Sequence, residues 1–240
     1  MVTLFPRRKK RPSPTRHRSR RPNPDQVVNR VGLSELTPEF PRFLGQAAYL
    51  QLSFFENLSR AVTGAPTTAS KEALSKVAAI ALARHHALVA ELEKLGRDPS
   101  EAMEPFVAEI DAFQVRTRGS DWSETLLAYY VESGILDDGF VNIAEGFDRE
   151  QAERIAELLD DDEPSTLISG QLRAAIGENP RLASRLALYG RRLVGDVLLL
   201  ARSGLDLPED TAPDDERLEP VLTELIADHT RRMDDLGLTA

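Results

Sequence analysis

The chain has 240 residues, enough to bury the core of one all-helical domain, and its 41% hydrophobic and 29% charged content is that of a globular protein, which excludes a membrane-embedded or wholly unfolded class. There is no cysteine, so disulfides, thiolate metal sites and cysteine nucleophiles are excluded together, and a reducing, cytoplasmic setting is expected. The net charge of -9 joins two opposed populations: residues 1–24 carry nine basic side chains and no acid, which leaves 21 basic against 39 acidic side chains in the remainder.

The nine cations are Arg7, Arg8, Lys9, Lys10, Arg11, Arg16, Arg18, Arg20 and Arg21. Pro6, Pro12, Pro14, Pro22 and Pro24 break any helix among them, and apart from Val2 to Phe5 nothing apolar is available to fold around. The composition predicts a disordered basic tail over residues 1–30, followed by a helical domain over 31–240. A secretory signal needs an apolar stretch after its charges; here the charges run into Pro22-Asn23-Pro24-Asp25, so no export signal is expected. The most apolar later stretch, Leu193 to Ala201, contains Asp196 and falls short of the roughly 20 residues a spanning helix requires, so no membrane partner is expected. Nine cations within fifteen residues match the phosphates of RNA or of another polyanion, in a sequence-blind and salt-dependent manner. The competing reading is a tail that folds back on the acidic body.

The body reads as helix throughout, and the fold class is all-α. Apolar residues at three-to-four spacing mark a first long helix from Thr37 to Ser59, closed by Gly64-Ala65-Pro66. Thr67-Thr68 cap a second, which runs through Leu74, Val77, Ala81 and Leu88 to a stop at Gly96. A shorter helical piece, Met103 to Phe113, sits in a crossover over residues 97–120. The third long helix opens at Ser120-Asp121-Trp122 and continues past Ile135, with a bend expected near Gly134 or Gly139. Helices follow at Arg149 to Leu159, Ser165 to Ile176, from Asn179-Pro180 to about Ser203, and from about Asp214 to Leu236; the fourth bundle position falls within 149–176. No stretch alternates like a strand.

Several segments of this body carry a family resemblance: Tyr49-Leu50-Gln51-Leu52-Ser53-Phe54-Phe55-Glu56, Ala65-Pro66-Thr67, Met103-Glu104-Pro105-Phe106-Val107, Ser120-Asp121-Trp122-Ser123-Glu124, Leu186 to Gly195, and His229-Thr230-Arg231-Arg232-Met233. From about Leu36 to Ala240 the chain resembles the ferritin-like relatives of the tRNA-(2-methylthio-N6-isopentenyladenosine) hydroxylase, a di-iron enzyme that hydroxylates a modified adenosine beside the anticodon. The resemblance implies a ferritin-like four-helix bundle with additional C-terminal helices, and it carries fold more strongly than activity. In such bundles two irons are held by a Glu from each of two helices and a Glu-x-x-His unit from each of the other two.

Against that pattern the chain is deficient. Glu56 and Glu124 stand where the single carboxylates belong, but the register on the second helix places Ala81 and Arg84 where Glu and His would stand. His85 and His86 are the alternative metal-ligating residues, yet Leu82 and Ala83, three positions before them, are apolar. The window Pro164 to Gly177 holds neither carboxylate nor histidine, with Thr166 and Ser169 at ligand-like positions. The expectation is a degenerate di-iron site with Glu56 and Glu124 as vestigial metal ligands, no catalytic residue and no cofactor. Arg84 is expected to pair with Glu56 or Glu124 and substitute an internal ion pair for the metal. The function expected is that of a binding or scaffold protein; the alternative is an iron-dependent tRNA hydroxylase whose ligands include His85 or His86 and an acid from 160–163. His229 with Arg231 and Arg232 reads as a cationic helix end, Trp122, Tyr129 and Tyr130 as core, and a homodimer fits the extra helices.

Overall fold

The computed structural model describes residues 37–203, 205 and 214–238, so the basic tail expected over residues 1–30 lies outside the described residues. Among the described residues there are eight helices and no strand: α1 (Phe40–Val62), α2 (Thr68–Lys94), α3 (Pro99–Arg116), α4 (Trp122–Ala144), α5 (Arg149–Leu159), α6 (Glu163–Glu178), α7 (Arg181–Ser203) and α8 (Asp214–Asp235). None of them is long and apolar enough to cross a membrane.

Local chemistry sets the helix boundaries. The Thr67 hydroxyl accepts from Ser70 N at 3.0 Å to start α2, and Asp98, Asp121 and Asp148 start α3, α4 and α5 in the same manner. At the end of α2, Gly96 takes a left-handed φ of 68°, which lets Gly96 N donate to Glu93 O and Arg97 N donate to Leu92 O. These two bonds form the Schellman closure that the Gly96 stop leads one to expect. The crossover helix is longer than Met103 to Phe113, because Asp98 accepts from Ser100 N and Glu101 N and Pro99 supplies a preset first turn.

α1 and α2, joined by residues 63–67, pack along one another, and α3 lies across α1. α4 is the hub of the second half, in contact with α1, α5, α6, α7 and α8, while α6 packs on both α2 and α4 and so takes the fourth bundle position. Its surroundings make α4 buried on nearly every side, from Leu126 and Leu127 through Ile135 to Phe140 and Ala144. Phe40, Phe43, Phe140 and Phe147 close one end of the core with ring centroids 4.8–6.2 Å apart.

Close helix contacts depend on missing side chains. A Cβ at Gly45 of α1 would stand 2.2 Å from the Ala102 carbonyl oxygen of α3. Gly134 lies within α4 and makes room for the Arg232 guanidinium from α8, which pairs with Asp138. Tyr130 Oη donates to Arg232 O at 3.3 Å and completes that joint. G45A should therefore lower stability by about 1–3 kcal/mol through a forced backbone shift. G170A, at an exposed mid-helix site with no neighbour within 4 Å of a new Cβ, should raise it by about 0.5–1 kcal/mol. Urea unfolding of both variants reads the two signs.

Candidate functional site

α4 carries four acids: Glu124, Glu132 and Asp137 are buried and Asp138 is half-buried. Because burying a carboxylate without a partner is costly, the partner of each defines what the region can do. Asp137 faces α1 and α2: its Oδ1 accepts from Gln51 Nε2 at 2.9 Å, and its Oδ2 accepts from Arg84 Nη1 at 2.9 Å. Arg84, 5% exposed, also donates through Nη2 to Leu159 O at 3.1 Å and to Asp161 O at 3.4 Å. One guanidinium thus joins α2, α4 and the loop between α5 and α6. Burial pushes the Asp137 carboxyl up from its ordinary value, and the Arg84 charge pulls against it.

Arg84 therefore does form an internal ion pair, but with Asp137 rather than with Glu56 or Glu124. The correction is one of helical phase. Gln51, five residues before Glu56, is the residue of α1 that turns inward to Asp137, and about 140° of rotation carries Glu56 to the solvent side. There it pairs with Arg60 at 2.7 Å, with both side chains more than half exposed. Glu124 sits in the first turn of α4, where it accepts from Ser120 N at 2.9 Å and pairs with Arg185 of α7 at 3.1 Å. Gly119 leaves the space for this turn, since a Cβ there would meet Thr125 N at 2.3 Å. The two expected ligands are held by different arginines at different places.

The histidines are also engaged or outlying. His85 Nδ1 donates to Ala48 O at 2.9 Å, which ties α2 to α1, and His86 is exposed beside it with ring centroids 5.5 Å apart. Ala81 is core, Ser169 Oγ donates to Thr166 O at 3.1 Å, and Thr166 is exposed. Among the described residues no three of His, Cys, Asp and Glu are grouped as metal ligands. The bundle centre offers one carboxylate, one amide and one guanidinium, and this donor set does not fit a di-iron centre, which needs bridging carboxylates and imidazoles.

The third acid of α4 has a different environment. Glu132 is 2% exposed and sits at the wall of a cleft of about 560 Å³ between α1, the end of α3 and the first half of α4. Its Oε2 accepts from Gln114 Nε2 at 3.2 Å, while Oε1 has no hydrogen-bond partner. Burial pushes its carboxyl up to about 7, against the pull of the Thr117 hydroxyl and the Gln114 amide. Sequence reasoning missed both Asp137 and Glu132; the signal was an acid embedded in an otherwise apolar helical stretch.

A bundle in which α1, α2, α4 and α6 pack around inward polar positions, with further helices laid on α4, is a ferritin-like architecture. The family model described as ferritin-like domain, actinomycetes, matches residues 40–204, and the chain belongs to that family. A search of curated proteins found no match.

Removing one partner of the buried pair strands the other. R84M and D137L should each cost about 3–5 kcal/mol, and the R84M/D137L double variant should cost less than the sum of the two, as urea unfolding of the full cycle will show. An unchanged melting temperature for R84M would refute the pairing. For Glu132 the folded value lies above the unfolded value of 4.5, so its contribution is complete below pH 4.5 and is lost as pH rises through about 7. Across that window E132Q should gain about 3 kcal/mol relative to the wild type, measured as the difference in unfolding free energy at pH 4.5 and pH 8. The charged or titratable groups that share this environment are Arg60 and Arg118 at the cleft and the Tyr189 phenol, which burial and Glu132 hold above its ordinary value.

Proposed function

We propose that this ferritin-like chain no longer carries out di-iron catalysis and acts as a binding or scaffold protein, with its basic N-terminal residues contacting RNA or another polyanion. One observation carries the first half: the buried Arg84 guanidinium, bound to Asp137 at the centre of the bundle. A fixed cation at that point repels metal cations and occupies the carboxylate that would otherwise coordinate them. The helices then serve as a rigid body whose centre is neutralised by its own side chains.

The second half rests on sequence, because Arg7, Arg8, Lys9, Lys10, Arg11, Arg16, Arg18, Arg20 and Arg21 lie outside the described residues. The remainder of the chain has an excess of acids and repels polyanions, so attraction to phosphate is concentrated in these nine positions. The alternative reading, a di-iron monooxygenase hydroxylating a modified adenosine in tRNA, needs ligands from His85 or His86 and from 160–163. The bond from His85 to Ala48 O and the donation of Glu163 N to the Asp161 carboxylate at 3.0 Å favour the first reading.

Anaerobic loading of the full chain with ferrous iron, followed by desalting and elemental analysis, is expected to leave essentially no iron per chain; about two irons would overturn the loss of the centre and support the hydroxylase. Fluorescence anisotropy with a single-stranded RNA should give a log affinity that falls against log salt by about 0.7 per neutralised phosphate, and replacing the nine cations with Gln should abolish the binding. Equal binding by that variant would overturn the role of the tail.

A further inference from the structure

The four acids of α4 divide unevenly. Glu124 is paired with Arg185, Asp137 with Arg84 and Asp138 with Arg232. Glu132, as buried as any of them, has no cationic partner among the described residues; its neighbours are the Gln114 amide and the Thr117 hydroxyl, both neutral. The orientation of that amide is fixed from the surface inwards. Arg60 Nη1 donates to Asn57 Oδ1 at 3.0 Å, Asn57 Nδ2 donates to Gln114 Oε1 at 2.7 Å, and Gln114 Nε2 is thereby aimed at Glu132 Oε2. Oε1 is left without a protein donor at the wall of a cleft.

The cleft has the size and lining of a small-molecule site. Its volume of about 560 Å³ falls within the roughly 300–1,000 Å³ typical of such sites and far exceeds what one ion or water needs. Phe54 and Tyr129, an edge-to-face pair with centroids 5.2 Å apart, form an apolar wall together with Leu58. Arg118, exposed and without an acidic partner among the described residues, also lines the cleft, as does Arg60, which is engaged by Glu56. A ligand bearing only positive charge would meet these guanidinium groups, whereas one bearing only negative charge would leave Glu132 unpaired.

We propose that the cleft binds a small zwitterionic organic ligand, whose protonated amine docks on the Glu132 carboxylate, whose apolar body lies against Phe54, Leu58 and Tyr129, and whose anionic group meets Arg118. The ligand supplies to Glu132 the cation that arginines supply to the other acids of α4. The salt bridge is formed away from bulk water, and its desolvation cost is offset by the fixed Gln114 donor and by apolar contact. The inference goes beyond the proposed scaffold function and depends neither on the tail nor on the absence of metal.

Calorimetric titration of the full chain with aminocaproate and para-aminomethylbenzoate, and with their desamino counterparts caproate and para-toluate, tests it. At least one amino acid of the pair is expected to bind, and its desamino counterpart to bind about tenfold more weakly or not at all. E132Q, close in shape to the native residue, should lose about tenfold or more in affinity for the amino compound. R118Q should weaken the amino carboxylate while leaving benzylamine, which has no anionic group, unaffected or improved. L58W, which fills the cleft, should abolish binding with an unchanged helical circular-dichroism spectrum. Failure of both amino compounds to bind, equal affinity in E132Q, or equal affinity for the desamino compounds would overturn the proposal.

Discussion

The burial of α4 on nearly every side is the constraint on which the rest of the structure depends. A helix so placed must be apolar, yet α4 holds four acids, and three of them are met by a cation that another element brings to a fixed place. Asp137 draws in Arg84 from α2 and Gln51 from α1; Asp138 draws in Arg232 from α8; Glu124 draws in Arg185 from α7. Apolar packing alone would tolerate small slips between helices, since it is non-directional. Paired charges inside the molecule do not, because a displaced guanidinium leaves a carboxylate bare. In this protein the acids of α4 set the register of the helices that surround it.

Arg84 goes furthest in this respect. Its two terminal nitrogens contact a carboxylate on α4 and two backbone carbonyls at and beyond the end of α5, so the loop leading into α6 is held by the same group that holds the bundle centre. A lysine could not make these contacts, because its single ammonium lacks the planar fork. The free carbonyls at the end of a helix carry partial negative charge and add to the attraction. The fourth bundle helix is thus positioned through its entry loop.

The sequence allowed the helices to be read because their punctuation is local. Thr67, Asp121 and Gly96 act on backbone groups within a few residues of themselves, and the elements they bound came out where periodicity placed them. The crossover helix extends beyond Met103 to Phe113 because Asp98-Pro99 supply its start, a local signal that carries no apolar periodicity. Partners were not legible in the same way. The family resemblance puts Arg84 where a ligand histidine would stand and so implies an internal ion pair with Glu56 or Glu124, but the actual partner, Asp137, depends on phase across three helices. An error of one residue rotates a side chain by about 100°. The resemblance puts Glu56 at a ligand position, yet it is Gln51 that turns inward to Asp137 from α1, and Glu124 serves its own helix start. Glu132 was overlooked because an acid between Val131 and Ser133 looks ordinary until the whole helix is known to be buried.

On the reading proposed here, the exchange of a metal for a guanidinium changes what the fold depends on. A carboxylate cluster at the centre of a bundle repels itself, and its folding is linked to metal supply through the free energy of metal binding. Arg84 delivers one positive charge on the chain itself, at a one-to-one ratio with Asp137, so the centre is neutral whatever the metal concentration. The same exchange gives up Lewis acidity and redox chemistry, because a guanidinium holds a delocalised charge and has no vacant orbital or accessible second oxidation state to offer a ligand. What remains open to chemistry is displaced along α4 from Asp137 to Glu132. Five residues and about 140° of helix separate these acids, so one is turned into the bundle and the other into a cleft. Their difference in partner follows from that rotation alone.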